Sequence, residues 1–182
     1  GGFIVVPQML EIGLGYSASH VGWLIIARPL AFSITAPLAS FFTMRAGERK
    51  SGVIGACGVI ASMLILSSIA GGSSDLLVVL GLGLSGIGFG IAAPALTALV
   101  SNAVDDETIG VAGAMQQLLS QMGAVLGSTV MISVHEMTVG STTVVRSYGI
   151  ALLFGAGTAT AAALLASRLT PTDRSAEAMA AN

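Results

Sequence analysis

The chain has 182 residues, 54% of them hydrophobic and 9% charged, with a formal net charge of -2 and a mean hydropathy of +0.90. So few charges, against about 25% in water-soluble domains, exclude an ordinary soluble globular domain. The small net charge and the absence of a basic stripe exclude a nucleic-acid surface, while the single cysteine, Cys57, excludes an intramolecular disulfide and a multi-cysteine metal site.

The first element is an apolar piece at residues 3–10, too short to cross a hydrocarbon core of ~30 Å, which needs about 20 helical residues. Because the chain opens on Gly1 rather than Met, this piece reads as the end of a helix that begins upstream. A polar connection over residues 11–17, with Gly13 and Gly15, leads to a first complete span at about residues 19–43. Arg45, Gly47, Glu48, Arg49 and Lys50 then form a basic loop. In it Arg45 favours the negative end of the preceding helix dipole, and Gly47 permits a tight reversal.

A second span is predicted at about residues 52–70, ended by the breakers Gly71, Gly72, Ser73 and Ser74 with Asp75. The third, at about 76–100, contains Gly81, Gly83, Gly86, Gly88, Gly90 and Pro94, and is expected to be bent or locally irregular. Asp105, Asp106 and Glu107 suit the N-terminus of a fourth span at about 109–134. A connection over residues 135–147 leads to a fifth span at about 148–169. The division expected is a transmembrane part over residues 1–170 and a short polar tail over 171–182.

Lys and Arg are counted to orient the loops, since positive loops stay in the cytoplasm. Arg45, Arg49, Lys50, Arg168 and Arg174 fall on one side and Arg146 on the other, which puts the C-terminus in the cytoplasm. The fold class is therefore an all-α polytopic membrane protein with five complete transmembrane helices and the end of a sixth.

Within the spans, Gly86 with Gly90 and Gly123 with Gly127 are small-xxx-small pairs, expected to pack helices closely where no hydrophobic effect drives association. At 100° per residue, Gly110, Gly113, Gln117, Gln121, Ala124, Ser128 and His135 share one stripe of the fourth span. Two glutamines do not suit lipid, so this stripe should face protein or a water-filled cavity, as an interhelical contact or as hydrogen-bonding groups for a substrate. Arg28 is the only charge deep inside a span, and Thr35 lies seven residues on, close to the same face. An arginine at that depth is expected to bond backbone carbonyls or snorkel, or else to bind an anionic group or an acidic partner; Pro29 frees the Ile25 carbonyl nearby. No HExxH, phosphate loop or nucleophile elbow is present, and no metal or cofactor is implied, so an enzyme is the weakest class.

Residues 36–50, APLASFFTMRAGERK, resemble the helix end and cytoplasmic loop of the major facilitator superfamily, whose pattern is G-x-L-x-D-R-x-G-R-R/K. Arg45, Gly47 and Arg49 or Lys50 match; Ser40, Met44 and Glu48 depart from it, and Met44 leaves the loop without the acidic partner that the family pattern places there. GWLIIARPLAFSITAPLAS and GVAGAMQQLLSQMGAVLGSTV resemble the C-terminal half of the multidrug/proton antiporters of that superfamily. The resemblance implies the C-terminal six-helix half of a 12- or 14-helix transporter of the plasma membrane, partnered by the lipid bilayer, a missing N-terminal half and a small-molecule substrate. Proton-coupled efflux of drug-like molecules is the activity implied. A nutrient or metabolite carrier of the same fold, or a non-transporting membrane assembly subunit, are the alternatives.

Overall fold

The computed structural model describes residues 2–69 and 75–168. The expected turn at Gly71 to Ser74 and the tail lie outside them. Among the described residues the regular structure is helical: α1 (Gly2–Gln8) running into a π-helical turn (Met9–Gly13), α2 (Ala18–Ile25), α3 (Ala27–Ala46), α4 (Glu48–Ser67), α5 (Asp75–Asn102), α6 (Ile109–Val139) and α7 (Val144–Arg168). Five segments are long and apolar enough to cross a membrane, the first being α2 with most of α3.

The boundaries differ from the sequence reading at informative places. The first span is broken at Ile26, because Pro29 has no N–H to close the helical bond onto the Ile25 carbonyl one turn back. The expected basic loop contracts to Gly47 alone, which joins α3 to α4 at φ +88°, a left-handed conformation that glycine adopts without penalty. Arg49 and Lys50 accordingly lie in the first turn of α4 rather than in a loop. The glycine-rich α5 is one continuous helix of 28 residues with Pro94 inside it, so the expected irregularity does not interrupt its helical backbone.

The fourth span runs on to Val139, and the expected connection from His135 shrinks to residues 140–143. Hydropathy falls after Val134, which is why the sequence places the end early. The helix continues because His135, 8% exposed, finds a partner: its Nδ1 lies 2.7 Å from Ser147 Oγ, and its ring stacks on Tyr148 with centroids 3.7 Å apart. Ser147 is fully buried and its hydroxyl also lies 2.7 Å from the Val144 carbonyl. A buried imidazole left without that hydroxyl would lose a hydrogen bond in an apolar setting.

α5 packs extensively on both α3 and α4, α4 on α7, and α7 on α6. The apolar core gathers at the end of the bundle where α4 and α6 finish and α2, α5 and α7 begin. Val5, Val6, Met9 and Leu10, from α1 and its π turn, are all at most 1% exposed and pack with Leu66, Val78, Met131 and Leu152. The short N-terminal piece thus plugs this end of the bundle. Large apolar side chains on the outside, among them Leu30, Leu38, Leu118, Leu119 and Leu126, suit hydrocarbon rather than water.

The same end is tied by polar groups. Tyr16 Oη donates to Asp75 Oδ1 at 2.9 Å, His20 Nε2 lies 2.8 Å from Asp75 Oδ2, and the Tyr16 and His20 rings stack at 4.8 Å. This cluster joins the segment before α2 to the start of α5. Chiefly because it donates to Asp75, and further through desolvation and the carboxylate charge, the Tyr16 phenol is held above its ordinary pKa.

Candidate functional site

Residues of α1, α3, α4, α5, α6 and α7 line a partly open cavity of about 470 Å³, within the ~300–1,000 Å³ usual for small-molecule sites. Arg28 lies in its wall, one residue into α3 after the break at Ile26. Its Cζ stands 5.0 Å from the centroid of Phe3 and 5.2 Å from that of Phe89, a cation held by two aromatic rings. The remaining wall is largely apolar, with Val6, Met63, Leu66, Leu82 and Leu152, and it includes Ser62, Ser85 and Ser120. Ser85 donates to the Leu82 carbonyl at 2.8 Å.

A second cavity of about 480 Å³ lies toward the other end of the bundle, lined by Arg49, Thr97, Gln116 and Gln117 among others. Phe89 and Ser120 line both cavities. Together these cavities trace a path along the bundle from Arg28 to Arg49, and neither lining contains a carboxylate. The described residues hold no cluster of three or more metal-ligating side chains.

The residues singled out in the sequence are distributed unevenly about this path. Arg28 is in the first cavity, and Gln117 and Arg49 are in the second. Gln121 is exposed but lines neither. Thr35 shares a helix face with Arg28, but that face is turned to α5: a Cβ on Gly90 would stand 2.9 Å from the Thr35 Cβ. Thr35 therefore packs on a helix instead of lining the cavity. Lys50 is exposed, and the side chain of Arg45 is outside what the structure describes.

Among the glycines, a Cβ on Gly86 would collide with the Arg28 carbonyl oxygen, and one on Gly90 would stand 3.2 Å from the Ala36 nitrogen. Both let α5 approach α3 closely. Gly123 differs from its expected packing role: a Cβ there would meet nothing within 4 Å, and the residue borders the first cavity. Gly127 is half-buried. The polar stripe of α6 divides likewise, with Gly110, Gly113, Gln117, Gln121 and Ala124 exposed and Ser128 and His135 buried. Sequence reasoning missed Phe3, Phe89 and Ser62 at the cavity. Nothing in their local pattern separates them from lipid-facing or core positions.

Residues 2–182 match the sequence profile of the Major Facilitator Superfamily. The chain is also similar to two curated proteins named "Multidrug resistance protein Stp", from two strains of Mycobacterium tuberculosis. Each is 29% identical over 134 residues, covering 74% of this chain and 25% of the relative. The chain thus spans about a quarter of the length of the curated relatives it matches. With the profile extending over the five spans and the cavities between them, this chain belongs to the Major Facilitator Superfamily.

Proposed function

We propose that this chain is the C-terminal transmembrane half of a secondary active transporter of the plasma membrane, one that exports drug-like small molecules in exchange for protons. The observation that supports it best is the path from the Arg28 cavity to the Arg49 cavity. It is lined with a few polar groups on apolar walls, and Phe89 and Ser120 stand between the two chambers. Alternating access in such folds rocks one half against the other around a site near the midplane. The multidrug-resistance name of the relatives favours export over nutrient uptake.

None of the chain's nine acidic residues falls in the middle of a span. A membrane carboxylate for proton coupling would then belong to the other half of the transporter, and the candidate substrate contacts here are Arg28 and Gln117. By the positive-inside count, the Arg49 end of the path is cytoplasmic.

Proteoliposomes containing the full-length protein test this reading. An imposed proton gradient should drive movement of amphiphilic drugs across the bilayer, and collapsing the gradient with a protonophore should stop it. Movement that ignores the gradient removes proton coupling; no movement of any drug removes efflux.

A further inference from the structure

We infer that the Arg28 cavity recognises the carboxylate of an amphiphilic anion with an aromatic or otherwise apolar body. The inference rests on the efflux reading above and names the substrate class of that site. Arg28 is half-buried between Phe3 and Phe89, and among the described residues it makes no hydrogen bond or ion pair. A guanidinium presents five N–H donors in a rigid fork that matches a carboxylate, and leaving such a group unpaired in a membrane interior is unfavourable.

A second observation points the same way. Ser62 is 1% exposed, lines the same cavity, and has no hydrogen-bond partner among the described residues. Buried hydroxyls are nearly always satisfied, so a ligand acceptor is the natural partner for this one. The lining holds no carboxylate that would compete for Arg28 or attract a cation. An acidic side chain from another helix would neutralise Arg28 but occupy only a fraction of about 470 Å³. An amphiphile fills the rest, with its apolar body against Met63, Leu82 and Leu152 and its carboxylate on the Arg28 fork.

The test compares three probes of one shape, naphthoate, naphthamide and naphthylmethylammonium, by calorimetric binding to the purified full-length protein. Naphthoate should bind about tenfold or more tightly than naphthamide, the step that 1.4 kcal/mol of charge-assisted bonding supplies. Arg28→Ala should erase this preference, bringing naphthoate to within about threefold of naphthamide, with an unshifted melting temperature showing that the variant is folded. Arg28→Lys should keep part of the preference, and Ser62→Ala should weaken naphthoate more than naphthamide.

Equal or tighter binding of the amide or the ammonium, no binding of any probe, or a preference for naphthoate that survives Arg28→Ala overturns the inference. So does a result in which Arg28→Ala moves the pH profile of transport but leaves probe preference intact, since Arg28 would then serve an acidic side chain. Gradient-driven export of other amphiphiles, measured in the same preparation, would leave the efflux reading standing when this inference has failed.

Discussion

Gly55 of α4 and Gly88 of α5 meet backbone to backbone: a Cβ on Gly55 would stand 2.6 Å from the Gly88 carbonyl oxygen, and one on Gly88 2.7 Å from that of Gly55. The reciprocity marks a close crossing of α4 and α5, and the two nearest atoms to each added Cβ are rigid backbone, with Ala92 Cβ and Val59 Cγ2 just behind them. Gly58 extends the contact, with a Cβ there 3.1 Å from Gly88 Cα. Lipid tails are as apolar as the helices, so such close approach, through dispersion, stands in for the hydrophobic effect.

Gly88→Ala should therefore destabilise the protein by about 1–3 kcal/mol, the usual cost of overpacking a rigid contact. Gly113→Ala, where a Cβ meets nothing within 4 Å, should be neutral or slightly stabilising through helix propensity. Thermal unfolding of the two detergent-purified variants checks the contrast. Equal melting temperatures would show that the crossing can relax.

Ser147→Ala should leave the buried His135 Nδ1 without its partner and destabilise the α6–α7 end by about 1–3 kcal/mol. His135→Phe in that background should recover part of the loss, because it removes the other polar partner and keeps a ring on Tyr148. A double variant whose loss is the sum of the two single losses would show that the pair is not coupled.

The Tyr16 phenol, raised by its bond to Asp75, should ionise above the ordinary value of ~10. Since the folded value exceeds the unfolded one, the stability it contributes is fully present below the unfolded pKa and disappears as pH rises through the folded value. Tyrosinate absorbance in a Tyr148→Phe background isolates this group, and Asp75→Asn should move its titration to lower pH. An unmoved curve would separate Tyr16 from Asp75 in solution.

For orientation, cysteines at Lys50 and at Ser141, both exposed, are introduced one at a time after Cys57 is replaced. In intact cells an impermeant maleimide should label position 141 and spare position 50, because the Lys50 end carries the positive excess. The opposite pattern reverses the proposed topology and with it the direction assigned to the path.

Residues 1–182 expressed alone should catalyse no substrate flux, since rocking needs a second half. Saturable, gradient-dependent flux from this segment in proteoliposomes, at a rate independent of its density in the membrane, would contradict that expectation. A rate rising with density would instead indicate pairing of two copies.

The number of spans and their order are properties of the linear chain, because crossing a hydrocarbon layer demands length and apolarity that a window of residues either has or lacks. The freed Ile25 carbonyl was readable too, since Pro29 removes a definite hydrogen bond whatever surrounds it, but the sequence reading carried the span unbroken through Ile26. Which small residues touch was not. Gly86, Gly88 and Gly123 look alike in sequence, yet the first two meet backbone and the third meets open space, because contact depends on where the other helices stand around each face. His135 shows the same limit: it ends a hydropathic run, and its burial against Ser147 and Tyr148 appears only once α7 packs beside α6. The cavity is the furthest from the sequence. Phe3 and Phe89 flank Arg28 and Ser62 lines the same cavity, from three different helices, and their convergence exists only once those helices pack.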